Sequence, residues 1–448
     1  MSEFLKFIEK AGKVVPSERQ LRHMKETPFY AFIHFSPNTY TGLEWGTGEE
    51  DPAIFNPTEL DCDSWVEAIK SAGMKGAVIT AKHHDGFCLW QTETTEHSIK
   101  NSPYKNGKGD VVRELAEACR KGGIEFGFYL SPWDRNSKYY GTDKYNDFYR
   151  AQLTELLTNY GEVFHVWFDG ACGEGPDGKK QVYDFESYFE LVRRYQPNAT
   201  MFKDDGPDIR WCGNESGSSR AAEWAVVPYE LCGFCEKQTE GALLEGELKN
   251  AYNSDKDIGS LDNIMYSGGL VFCPSEIDMS IRPGWFYHPE EEPHSLERLF
   301  KTYINSVGGN TSFNLNIPPM PNGRFDPRDT ARLKELGDKI RSSFGDNLCN
   351  GAKITRTSLS STQCEYLVEL DGEKEIRFFE LEEDIAKGQR VASFRIMSRK
   401  NGRWERVYSN YSTIGFKRII EEHVCCDAFK IIVEASRGEA LISKIAAY

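Results

Sequence analysis

This sequence offers little that would place it in a membrane or on a polyanion. No stretch comes near the roughly 18 uninterrupted apolar residues that a spanning helix needs, so no membrane partner is expected. In the opening segment, MSEFLKFIEKAGKVVPSERQ, charged residues interrupt every apolar run, and no signal-peptide core is present. The expected location is therefore cytoplasmic, or secreted or periplasmic if a leader has been removed. There is no basic block: 54 Lys and Arg stand against 69 Asp and Glu, for a net charge of −15. That charge repels nucleic acid, which is not expected as a partner, but it does not hinder a neutral substrate such as a sugar. No G-x-G-x-x-G follows the first predicted strand, which argues against a Rossmann fold. The 12 cysteines are scattered, with Cys232/Cys235 as the one C-x2-C and Cys425/Cys426 adjacent. Without a second ligand pair these read as reduced, mostly buried thiols, and neither a metal nor a cofactor is expected.

What is present is a large core. Aromatics at 13% rule out disorder, and 448 residues allow two or three domains or one large domain with an appendage. The first three quarters of the chain alternate short apolar runs with amphipathic stretches. Phe29–Phe35, Ala77–Ala81, Phe126–Leu130 and Val163–Phe168 read as buried strands. Helices are predicted near Asp63–Ala72 (capped by Asp63 or Ser64), Asp110–Lys121, Phe148–Tyr160 and Phe185–Tyr195. Weaker strand signals follow near Thr200–Lys203, Trp224–Val227, Gly269–Cys273 and Thr311–Leu315. Continuous apolar strands separated by helices imply a parallel sheet covered on both faces, and about eight of them fit a (β/α)8 TIM barrel over residues 1–344. From 345 to 448 the segments are short and β-rich, with Asp371-Gly372 and Asn401-Gly402 as turn signals, so a C-terminal β-sandwich is predicted.

In such a barrel, chemistry sits where strands end. His34 ends the first strand, and Glu44-Trp45 lie in the loop beyond it. His83 and His84 follow the second strand directly. Tyr129 sits in FGFYLSPW, Asp169 follows VFHVWF, Glu215 lies in CGNESG and Trp285 in RPGWFYH. On an extended chain His83 and His84 would point to opposite sides. Asp169 could merely cap a helix, and Glu215 alone could be a solvated loop acid. Two carboxylates on different barrel loops, with aromatics that can stack on sugar faces, suggest glycoside hydrolysis. A metal-dependent amidohydrolase built on His34, His83, His84 and Asp169 is the competing reading, but it leaves Trp45, Glu215 and Trp285 without a role. A catalytically inactive sugar-binding protein is a third.

At these residues the sequence closely resembles the α-L-fucosidases of glycoside hydrolase family 29. The matching segments are FIHFSPNTY, GLEWG, FNPTELD, AKHHDGF, FGFYLSPW, VWFDG, RWCGNESG and RPGWFYH, in family order. The resemblance implies a retaining mechanism without a metal, acting on a fucosylated oligosaccharide. It makes Asp169 the nucleophile and Glu215 the acid/base. His34, Glu44, Trp45, His83, His84, Tyr129, Arg210 and Trp285 become substrate-binding residues, Arg210 as a neighbour that keeps an acid network charged. RWCGNESG and SIRPGWFYHPEEE resemble the subgroup that prefers α-1,3 and α-1,4 linkages of Lewis-type glycans. One departure is Phe35, where many members carry Trp, and it is expected to alter the wall beside His34. Nothing in the sequence sets the oligomeric state.

Overall fold

The computed structural model describes residues 3–248, 257–410 and 412–448. Its strands, in chain order, begin with β1 (Phe29–Ile33), β2 (Gly76–Lys82), β3 (Glu125–Leu130), β4 (His165–Trp167), β5 (Thr200–Phe202) and β6 (Arg210–Trp211). Then come β7 (Val226–Pro228), β8 (Leu270–Phe272), β9 (Ser275–Ser280) and β10 (Ser312–Asn316). The order β5-β4-β3-β2-β1-β10-β9-β6 forms one eight-stranded sheet, parallel at every pairing. A parallel bridge between Phe202 and Ile209 brings its two edges together, so the sheet is a nearly closed barrel. The predicted TIM-like architecture is present.

The first four strands are buried along almost their whole length, as their apolar runs require. The helices between them start where a carboxylate can cap. Asp61, rather than Asp63 or Ser64, accepts from Ser64 N to begin Cys62–Ser71. Asp110 caps Val111–Gly122 in the same way, and Gly123 ends that helix in the left-handed conformation. The second half departs from expectation. The apolar runs around Val226 and Leu270 pair only with each other, as an antiparallel hairpin beside the barrel. The barrel strands there are the two-residue β6 and the polar β9.

The last barrel helix ends at Ser343 and the first strand of the C-terminal region begins at Lys353. Its strands are β11 (Lys353–Ser358), β12 (Cys364–Glu383), β13 (Val391–Lys400), β14 (Arg403–Asn410), β15 (Arg418–Ser436) and β16 (Ile442–Ala447), all antiparallel. Asn401-Gly402 makes a tight turn with positive φ at both residues, as predicted. Asp371-Gly372 does not turn the chain. It falls inside β12, where the register with β15 shifts between Glu369 and Lys374. The two long strands fold over on themselves at such irregularities. Phe379, in the far half of β12, lies 5.1 Å from Phe429, which pairs with the near half. The sandwich is thus one folded antiparallel sheet around its own apolar core.

The two regions are joined by backbone and ring contacts. Ile419 N donates to Gly308 O at 2.8 Å, and Phe416 N to Asn310 Oδ1 at 2.7 Å. Phe344 packs on both Phe378 and Tyr448. Among the described residues, no helix is long and apolar enough to cross a membrane.

Candidate active site

The C-terminal ends of the barrel strands surround a cavity of about 70 Å3. His34, just past β1, and His83 and His84, just past β2, line it together with Glu44 and Trp45 from the first loop. Tyr129, Asp169, Glu215 and Trp285 complete the expected set. Three further residues line it that the sequence motifs do not single out: Phe32, Trp167 and Asp278. Strand alternation could have found two of them. Phe32 precedes His34 by two positions and Trp167 precedes Asp169 by two, so each pair shares a face.

Three expectations need correction. His83 and His84 do not diverge. The chain leaves the strand at Lys82 and turns, with Gly86 N bonded to His83 O at 3.0 Å, and the two rings lie 4.2 Å apart on the cavity wall. Arg210 does not line the cavity. It is buried, with its guanidinium held by Glu223, by Trp224 O at 3.0 Å and by Cys273 O at 3.2 Å. The acid it keeps charged is Glu223, which Arg210 and Arg220 hold below its ordinary pKa against the cost of burial. Phe35 also points away from the cavity. It packs against Phe55 and Trp65 in the core, so its departure from Trp leaves the wall beside His34 unchanged.

Asp169 is held from several sides. Its Oδ1 accepts from Ala171 N at 2.8 Å and its Oδ2 from the Tyr129 hydroxyl at 2.9 Å. His84 Nε2 lies 3.8 Å from Oδ2. Gly170 beside it leaves room for the Asp204 carboxylate, which a Cβ there would approach to 2.1 Å and displace. The Asp169 side chain is 26% exposed and lines the cavity; burial raises its pKa while the Ala171, Tyr129 and Gly170 donors and Lys203 oppose the rise. Glu215 lies on an exposed loop beyond β6, where Trp285 Nε1 donates to its Oε2 at 3.4 Å. Partial burial and the negative charges of Asp169 and Glu44 raise its pKa, and Trp285 opposes. Glu44 fixes the opposite wall, accepting from Trp285 N at 2.9 Å and meeting His288 Nε2 at 3.1 Å.

The histidines are neutral at pH 7. Burial lowers His34 and His84 to about 3 and His83 well below its ordinary value. Their tautomers follow from their partners. Asn316 donates its Nδ2 to Trp285 O, so its Oδ1 accepts from His34 Nδ1 at 2.9 Å, leaving His34 Nε2 as an acceptor. Ser131 donates to Trp133 O, so it accepts from His84 Nδ1 at 2.7 Å, leaving His84 Nε2 as an acceptor too. The His83 Nδ1 atom is buried without a protein partner. Phe32, Tyr129 and Trp167 form an aromatic floor with ring centroids 5.3–5.8 Å apart. Trp45 stands at the rim, 60% exposed.

The cavity carries four acids and no Lys or Arg. That field disfavours an anionic ligand and favours positive charge developing on a neutral one, as in glycosidic cleavage. The amidohydrolase alternative needs His34, His83, His84 and Asp169 to converge on one point, and their donor atoms are not grouped within reach of one ion. Two carboxylates in an aromatic, cation-free cavity at the C-terminal end of a barrel make the site that of a glycoside hydrolase.

The comparisons with known proteins agree and narrow the class. The Alpha-L-fucosidase family model matches residues 12–342. Alpha-L-fucosidase 1 of Arabidopsis thaliana is 38% identical, over 97% of this chain and 87% of its own length. The structure of a glycoside hydrolase 29 family member from an unknown rumen bacterium is 39% identical, with a TM-score of 0.85, over 97% of this chain and 77% of that one. The Ruminococcus gnavus GH29 fucosidase in complex with fucose is 30% identical, with a TM-score of 0.84, over 97% and 95%. The chain belongs to the α-L-fucosidases, glycoside hydrolase family 29.

Proposed function

We propose that the chain is a retaining α-L-fucosidase that removes terminal α-1,3- or α-1,4-linked fucose from Lewis-type glycans. The observation that carries the reading is the shared cavity of Asp169 and Glu215, each with a pKa raised by burial and each differently supported. In the first step a carboxylate oxygen of Asp169 attacks the anomeric carbon. Glu215 gives its proton to the departing glycosidic oxygen, and a fucosyl-enzyme ester forms. In the second step Glu215, now ionised, takes a proton from water, whose oxygen attacks the same carbon and frees Asp169 and fucose. The retaining geometry calls for a carboxyl separation of about 5–5.5 Å.

The neutral histidines suit sugar hydroxyls. His34 Nε2 and His84 Nε2 are acceptors, and a hydroxyl lying between His84 and Asp169 could donate to either. The fucose bound in the Ruminococcus gnavus structure supports the same sugar here. The linkage preference rests on the RWCGNESG and SIRPGWFYHPEEE segments, and a broad-specificity α-L-fucosidase is the second reading.

The test is a side-by-side rate, with and without EDTA, on an aryl α-L-fucoside and on a Lewis-type trisaccharide, reading released fucose. Release mainly from the trisaccharide, unchanged by EDTA, is the expected result. Equal release from both substrates moves the chain to the broad subgroup. No release from either would remove the fucosidase reading and favour a sugar-binding protein.

A further inference from the structure

Cys232, Cys235 and Cys273 meet in a buried cluster beside Arg210 of β6, and nothing in the hydrolytic mechanism uses them. Their Sγ atoms all lie within 4.8 Å of one another. Among the described residues this is the one group of His, Cys, Asp or Glu side chains placed to share an ion. The sequence shows only two of the three, because Cys273 lies far from the C-x2-C. Topology supplies the rest. β7 runs into the turn that carries Cys232 and Cys235, closed by Cys235 N on Cys232 O at 2.9 Å. β8 pairs with β7 and runs directly into Cys273, whose N donates to Ala225 O at 2.7 Å. Cys273 lies just past the Val226/Phe272 end of the hairpin; the C-x2-C leaves β7 at the opposite end, and the turn through it folds the chain back along β8, where Gln238 N bonds to Leu270 O at 2.9 Å.

We propose that these three cysteines bind one thiophilic metal ion, zinc by ligand type, as a structural clamp. A tetrahedral zinc with Zn–S near 2.3 Å needs sulfur atoms about 3.8 Å apart, which the cluster can meet with small side-chain rotations. Thiolate ligands select soft or borderline ions over magnesium or calcium. All three cysteines are buried, and in the proposed site water supplies the fourth ligand. Gly206 packs closely on the cluster: a Cβ there would lie 2.5 Å from Cys235 Sγ and 3.7 Å from Cys273 Sγ. The Arg210 guanidinium, bonded to Cys273 O, places positive charge beside a site that three thiolates make negative.

The clamp would tie the segment that follows Glu215 to the chain entering β9. Removing the ion would loosen the hairpin and its attachment to Arg210 in β6, and would leave the cavity, which none of the three cysteines lines, as it is.

The test uses the full chain, with the half-exposed Cys172 and Cys425 changed to Ser and the protein purified under reducing conditions without chelator. Elemental analysis should find about one zinc per chain. After chelation, Co2+ alone should produce thiolate-to-cobalt charge-transfer absorption that saturates at one equivalent, and Zn2+ but not Mg2+ should raise the unfolding temperature. Cys273→Ser should abolish the stoichiometric absorption. Absence of absorption in fully reduced protein would overturn the proposal. So would a Cys232–Cys235 disulfide in the reduced preparation, or absorption that survives Cys273→Ser, which would mean an adventitious ion only. The cobalt titration of the Cys172/Cys425 variant stands even if Cys273→Ser folds poorly. None of these outcomes bears on fucose release, so failure here and failure of the fucosidase reading are separable.

Discussion

The two carboxylates of the cavity sit on differently built ground. Asp169 lies two residues past a fully buried strand and is fixed by a backbone N–H and a tyrosine hydroxyl on separate oxygens. Glu215 sits on an exposed loop with one long bond, from Trp285 Nε1 at 3.4 Å. The loop takes its shape from its neighbour instead: Asn214 Oδ1 accepts from Ser216 N and Ser218 N, and its Nδ2 donates to Ser218 O. The difference matches two tasks. A nucleophile must be aimed within a few tenths of an ångström of one carbon and stay ionised. An acid/base must give a proton to one oxygen and later take one from water, so it needs reach and a pKa near the working pH.

Breaking each side should show that asymmetry. Asp169→Ala should lower kcat by roughly four orders of magnitude on any fucoside, because no second route to the ester exists. Glu215→Ala should cost roughly 10²–10⁴-fold on a glycan, and much less on an aryl fucoside whose leaving group needs no proton. Azide should restore turnover in Glu215→Ala by replacing water as the second-step nucleophile. Full rescue of Asp169→Ala by azide with the same product would reverse the two roles. A smaller change sharpens the picture on the Asp169 side. Tyr129→Phe removes one of its donors and should slow the enzyme about tenfold. That hydroxyl lowers the Asp169 pKa, so its loss should move the acidic limb of kcat/KM to higher pH.

The same contrast explains what was legible in the sequence. β1 to β4 are buried on both faces and read as apolar runs, so the residues at their ends can be placed from the order of apolar and polar residues alone. β6 has two residues and no run to read. β9, SEIDMS, carries Glu276 and Asp278 inside the barrel, so its composition hides a core strand. Glu276 is tolerated there because Tyr30, Trp167 and Asn314 all donate to it. The apolar segments at Val226 and Leu270 resemble those missing strands, yet they pair only with each other: Val226, Leu270 and Phe272 face the main core, while Val227 and Val271 pack in a side cluster with Cys232, Cys235 and Trp224. Arg210 departs from expectation for a related reason. With Trp211 bonded to the cavity acid Asp278, alternation sends Arg210 the other way, toward Glu223.

The smallest expected effects lie on the Glu215 side. Trp285→Phe removes the one donor to Glu215 among the described residues and should move the alkaline limb of kcat/KM to higher pH, since that bond lowers the Glu215 pKa. Asp278 tests whether its neighbour Glu215 feels it at all. Burial and the charge of Glu215 push Asp278 well above the usual carboxylate range, so it remains protonated while Glu215 titrates. A neutral carboxyl exerts no repulsion, and the charges that raise Glu215 are those of Asp169 and Glu44. The coupling is therefore one-sided over the working range. Asp278→Asn, which keeps an oxygen for Trp211 Nε1 to donate to at the present 2.7 Å, should leave the alkaline limb where it is. Were that limb to fall toward lower pH in Asp278→Asn, Asp278 would have to be ionised in the native enzyme. The raised Glu215 pKa would then belong to a pair of acids rather than to the loop alone.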